Sequence, residues 1–109
     1  MSNNNLAPDG FNFIQDSHGI NEYNLKSNGL RVLTLSDRSA PVATFMVTYH
    51  VGSRNEAIGY TGSTHLLEHL MFKGSRNFNK EKGTAIWDEL QSIGAQINAT
   101  TWNDRTNYF

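Results

Sequence analysis

Ser63-Thr64-His65-Leu66-Leu67-Glu68-His69-Leu70-Met71-Phe72-Lys73-Gly74 is the stretch on which the fold turns. Its apolar residues recur at helical spacing. With His65 as zero and about 100° per residue, Leu66, Leu67, Leu70 and Met71 fall between roughly 100° and 240°, and Glu68, Phe72 and His69 near 300°, 340° and 40°. One side is wholly apolar; the other presents two imidazoles and a carboxylate. The spacing predicts a helix capped by Thr61 or Ser63 and running to about Phe72, with Lys73-Gly74 as a basic last turn and a glycine stop.

Working outward, residues 81–93 place Ala85, Ile86, Leu90 and Ile93 on one side of a second helix that Gly94 ends, although Gly83 falls in its first turn. Residues 95–102 read as a strand, Asn103-Asp104 as a turn and residues 105–109 as a return strand. Upstream, residues 22–26 and 30–35 alternate on either side of Asn28-Gly29, the strongest short hairpin signal, because both turn residues tolerate positive φ. Residues 42–51 are rich in β-branched and aromatic side chains and are expected as a third antiparallel strand beside that hairpin. Residues 1–19 are expected to be a disordered lead-in, with order beginning near Ile20. The fold class that follows is α+β, an antiparallel sheet with helices packed on one face. The chain stops on Tyr108-Phe109 in the middle of a hairpin arm, so it reads as a piece of something longer.

Composition narrows the chemistry. The 109 residues carry nine Lys+Arg and ten Asp+Glu, a net charge of -1 that lacks the basic footprint of a nucleic-acid binder. No apolar run approaches the roughly 18 residues of a membrane span. The N-terminus has no basic segment followed by an apolar one, so a soluble cytoplasmic or periplasmic protein is expected. With no cysteine, there is no disulfide, no thiol nucleophile and no thiolate ligand, so any metal must be held by His and carboxylates.

Residues four apart on a helix are neighbours, so the His65 and His69 rings can reach one cation. Imidazole and carboxylate donors suit Zn²⁺, and Glu68 adjoins both rings, where it can accept a proton from water. The alternative is a solvated polar face on which these side chains make only weak pairs. His-x-x-Glu-His is the mirror of the His-Glu-x-x-His arrangement and is itself a signature of zinc peptidases.

The flanking blocks carry a resemblance. Val51-Gly52-Ser53-Arg54-Asn55-Glu56, Gly62 to Ser75, Gly94-Ala95-Gln96-Ile97-Asn98-Ala99-Thr100-Thr101 and Asp104-Arg105-Thr106-Asn107-Tyr108-Phe109 closely resemble the pitrilysin (insulinase) family of zinc metallopeptidases. The resemblance runs from Tyr23 to Phe109 and implies that residues 20–109 are the N-terminal portion of a pitrilysin-like peptidase domain that continues beyond residue 109. It implies one Zn²⁺ per catalytic domain, held by His65 and His69, with Glu68 as the general base for attack of a zinc-bound water on a peptide bond. The family's third protein ligand is a downstream Glu on another helix, expected beyond Phe109, so the isolated piece is expected to be inactive. Peptide or protein substrate is expected to add as a strand along Gln96 to Thr100, touching Asn98 and Ala99, and a homologous partner domain or subunit is expected to enclose it. A second outcome for Asn98 is that it merely satisfies a local turn or neighbouring backbone. The competing function is a non-catalytic pitrilysin-like scaffold or partner subunit, against which the intact His65, Glu68 and His69 count. A purely structural metal site needs a fourth protein ligand close by, and the sequence offers none.

Other polar and aromatic residues draw plainer expectations. His50 is read as a packed or rim histidine and His18 as solvated. Glu56 and Arg54 are read as ties for the loop before the helix. Phe72 is either a pocket wall or a packing residue, and Trp87 and Trp102 are read as core.

Overall fold

A computed structural model describes residues 7–109, which divide into one compact unit ending at Val42 and another spanning Ala43–Phe109. The α+β class holds, and the strands form two separate antiparallel three-stranded sheets.

In the first unit, β1 (Phe11–Ser17), β2 (Ile20–Leu25) and β3 (Arg31–Leu35) pair in that order. Strand β1 corrects the expected lead-in, whose residues 1–6 lie outside the described residues. The pairing of β1 is visible only in three dimensions. A register shift between Phe13 and Gln15 breaks the alternation that would have revealed a strand, and the rings of Phe11 and Phe13 meet Tyr23 edge-on at 6.5 and 5.7 Å. The tight two-residue turn lies here: His18 and Gly19 take φ of 54° and 84° between the paired Ser17 and Ile20. The expected β2–β3 hairpin forms, but through a longer loop. Only Gly29 is left-handed (φ 73°), its N–H bonds the Leu25 carbonyl at 2.8 Å, and Asn28 accepts the Leu30 N–H through Oδ1 at 2.9 Å.

The second unit contains β4 (Val47–Tyr49), α1 (Ser63–Met71), α2 (Ile86–Ser92), β5 (Ala99–Thr101) and β6 (Thr106–Tyr108), with sheet order β4-β6-β5. Three expectations change, the first being that the strand expected over residues 95–102 narrows to β5 at Ala99–Thr101. The strand drawn over residues 42–51 shrinks to β4, and its partner is β6 rather than the upstream hairpin. Its ladder comes from residues almost sixty positions away, which local alternation cannot report. Helix α2 starts at Ile86 instead of Glu81, because Gly83 at φ 66° closes a separate turn over Lys80–Lys82 whose Lys82 N–H bonds Asn79 Oδ1. Gly94 ends α2 as expected, at φ 79°.

Strand period sorts the second sheet into two faces. Val47, Tyr49, Ala99, Thr101, Thr106 and Tyr108 share one face by register. Helix α1 lies on that face through Glu68 and Phe72. Thr48, Thr100 and Asn107 share the other, where Thr48 Oγ1 donates to Asn107 Oδ1 at 3.0 Å. No hydrophobic side chain is fully buried among the described residues; the two buried polar ones are Glu68 and Thr106. The apolar side of α1, from Leu66 to Met71, is therefore open, and the side that packs is the one bearing the acid.

Candidate functional site

The loop before α1 is fixed by close backbone approach. Gly52 is buried with its Cα against the β5–β6 turn, and the next two residues bond that turn, Ser53 N–H to the Trp102 carbonyl at 3.0 Å and Arg54 N–H to the Asn103 carbonyl at 2.8 Å. The expected caps, Thr61 and Ser63, do not cap α1. Its N-cap is Gly62 at φ 91°, which has no side chain to offer. Glu56 supplies the missing acceptor: Oε2 takes the Gly62 N–H at 2.8 Å, and Oε1 takes the Thr64 N–H and hydroxyl at 2.9 and 2.7 Å. The Thr64 hydroxyl bond first, then the Thr64 and Gly62 amides, hold the Glu56 carboxyl below the ordinary carboxylate range. The loop tie expected of Glu56 is thus a helix cap at a distance.

One turn further on, the rings of His65 and His69 converge. Their Nε2 atoms lie 3.0 Å apart with ring centroids at 4.7 Å, and both residues are exposed. Two nitrogens bound at about 2.0–2.1 Å to one tetrahedral ion lie about 3.3 Å apart, so this pair fits as two ligands of Zn²⁺ with little movement. Among the described residues no three His, Asp or Glu side chains are grouped to hold a metal. The fit is that of two donors.

Glu68 takes a different direction. It is 8% exposed, and its Oε2 accepts the Thr101 hydroxyl at 2.5 Å, while Oε1 has no hydrogen bond among the described residues. Tyr108, half-buried on the same sheet face, has its phenol pushed up by burial, then by the charge of Glu68, then by Tyr49. Phe72 packs against Trp87 at 5.5 Å and Tyr108 at 6.0 Å, the packing that was one of its two expected roles. Sequence reasoning missed Thr101. Its partner lies 33 residues away, and nothing local marks one threonine of a strand over the next.

Strand β5 is an edge. Asn98 and Phe109 exchange both backbone bonds, at 2.6 and 2.9 Å, and Trp102 N–H bonds the Arg105 carbonyl at 2.8 Å. By antiparallel alternation, Asn98, Thr100 and Trp102 face β6, and the backbone groups of Ala99 and Thr101 face outward. The Asn98 side chain turns back so that Oδ1 takes the Ala99 N–H at 2.9 Å, the local satisfaction that was its second expected outcome. The remaining candidates are peripheral. His18 and His50 are exposed, as are Trp87 at 38% and Trp102 at 65%, which corrects the assignment of both tryptophans to the core. No helix among the described residues is long and apolar enough to cross a membrane.

Comparison with known proteins adds the family. The family model "Insulinase (Peptidase family M16)" matches residues 31–109. The chain is 38% identical over 98 residues to an uncharacterized zinc protease of Streptomyces coelicolor, covering 88% of this chain and 21% of that protein. It is 40% identical over 82 residues to a probable mitochondrial-processing peptidase subunit beta of Arabidopsis thaliana, covering 75% and 15%. It is 39% identical over 88 residues to cytochrome b-c1 complex subunit 1 of Homo sapiens, covering 81% and 18%. The chain thus spans about a fifth or less of the length of these relatives.

Proposed function

The chain belongs to the insulinase family of peptidases, M16, and from that premise we propose that it is the opening part of a zinc-dependent metallopeptidase domain that hydrolyses peptide bonds. The observation that carries this reading is the meeting of the exposed His65 and His69 side chains, Nε2 to Nε2 at 3.0 Å, with Glu68 on the same helix. His65 and His69 would hold the metal, together with a third protein ligand, a Glu expected downstream of residue 109. When bound, Zn²⁺ supplies Lewis acidity toward water and the scissile carbonyl. Glu68 takes the proton of the attacking water on its free Oε1 and passes it to the leaving amine as the C–N bond breaks. The substrate adds to the outer edge of β5, pairing with the outward groups of Ala99 and Thr101, and to do so it displaces Asn98 Oδ1 from the Ala99 N–H. Ala99 is thereby a substrate contact through its backbone, beside Thr101, and Asn98 is one through its side-chain amide once that has left the Ala99 N–H. A homologous domain or subunit encloses the peptide.

The second reading, a scaffold subunit, has one observation in its favour: a relative named as a subunit of the cytochrome b-c1 complex. The two separate in one experiment on the whole protein. Glu68→Gln retains stoichiometric zinc and loses cleavage by at least about a hundredfold, the usual span for a general base. His65→Ala loses the zinc. Wild-type protein that carries zinc and cleaves no peptide, or a Glu68→Gln variant that cleaves as well as wild type, refutes the peptidase reading.

A further inference from the structure

Glu68 is a buried carboxylate on a three-torsion side chain, and such a group is costly to bury unless something donates to it. The donor is Thr101 Oγ1 at 2.5 Å, a length in the range of a charge-assisted O–H···O⁻ bond. Thr101 is itself held. It pairs with Thr106 across the β5–β6 ladder, and the buried Thr106 donates its hydroxyl to the Val51 carbonyl at 2.9 Å. A β-branched side chain on a fixed strand has few rotamers, so the hydroxyl is a rigid point of reference for a flexible acid.

We propose that Thr101 is a positioning residue for Glu68: by binding Oε2 it turns Oε1 toward the water and fixes the base in register with the strand edge that receives the peptide. This rests on the peptidase reading. Thr101 stands two residues from Ala99 on β5, so one strand carries both the edge where the scissile bond comes to lie and the group that aims the base. The proton acceptor and the substrate backbone are thereby referred to the same frame, though 33 residues separate Glu68 from Thr101.

The test has two arms. In the whole protein, Thr101→Val removes the hydroxyl at nearly constant shape. It is expected to lower kcat about ten- to hundredfold, the scale of one hydrogen bond to a charged group, with KM and zinc content unchanged. Thr101→Ser restores most of the loss. A kcat that stays at the wild-type level in Thr101→Val, a change in KM alone, or a Ser variant no better than Val overturns the proposal and leaves the peptidase reading standing. In the second arm, side-chain couplings of Glu68 are measured by NMR at fixed neutral pH, without reference to cleavage. One rotamer is expected in wild type and Thr101→Ser, and averaging in Thr101→Val. A single unchanged rotamer in Thr101→Val overturns the proposal even where wild type cleaves nothing and the peptidase reading has failed. Should Val fail to fold, Thr101→Ala repeats the removal, and unfolding of both shows a structural threonine and also overturns it.

Discussion

At the scale of single residues, the helix that carries the histidines depends on two contacts it does not own. Gly62 cannot cap it, and Glu56 does so with three hydrogen bonds that only the carboxylate accepts in full. Because the folded carboxyl lies below its ordinary value, its contribution is complete above that value and is lost as pH falls through the folded one. Acid is therefore expected to loosen the first turn of α1, and the protection factors of the Thr64 to Leu67 amides, measured against the intrinsic exchange rate at each pH, should fall as pH drops below the ordinary carboxylate range. In Glu56→Gln the same amides are expected to exchange several-fold faster at neutral pH and to lose that acid dependence. Protection unchanged by either would assign the capping elsewhere. Gly52 is the second contact. A Cβ there overlaps the Trp102 carbonyl oxygen and the Asn103 backbone, neither of which can swing aside. Gly52→Ala is expected to cost about 1–3 kcal/mol by overpacking, read as a lowered urea midpoint.

At the scale of elements, what was legible in the sequence followed the range of the interaction. The core of α1 and its stop, the β2–β3 pair, the end of α2 at Gly94 and the β5–β6 turn were readable because their signals lie within a few residues. So was the convergence of His65 and His69, a property of one helical turn. The partners of β4, the pairing of β1 and the bond from Thr101 to Glu68 depend on residues brought together by the chain's path, and periodicity carries no trace of them. The exposed apolar side of α1 inverts the usual inference from an amphipathic pattern, since within this chain the polar side packs. The turn at His18-Gly19 escaped for a different reason. Asn or Asp before Gly is the recognised signal for such a turn, so His18-Gly19 lacks the familiar look while adopting its geometry. His18→Asn supplies the residue that position prefers. It is expected to stabilise the β1–β2 hairpin by a few tenths to about 1 kcal/mol, seen as slower exchange of the Ser17 and Ile20 amides.

At the scale of the molecule, the balance of burial decides how the chain behaves by itself. A domain is held chiefly by apolar surface removed from water, about 25 cal/mol per Å². Here Leu66, Leu67, Leu70 and Met71 remain 49–60% exposed and, among the described residues, no hydrophobic side chain reaches full burial. What holds α1 is instead a small set of contacts, the caps from Glu56 to its first turn, the Thr101–Glu68 bond and the packing of Phe72 on Tyr108. Net hydrogen bonds of about 1 kcal/mol each offset little of the conformational entropy of ordering the chain. The 109 residues alone are therefore expected to unfold over a broad range of urea with a low midpoint and to bind a hydrophobic dye. In the whole protein the apolar side of α1 is expected to be covered, and neither behaviour should be seen. The same deficit bears on chemistry. Two imidazoles without a third donor and on a loosely held helix bind zinc weakly, so the isolated chain is expected to show no chelator-sensitive peptide turnover. Tight stoichiometric zinc in the isolated chain, together with a sharp cooperative transition, would mean that two histidines and a handful of hydrogen bonds suffice both to build the site and to hold the fold.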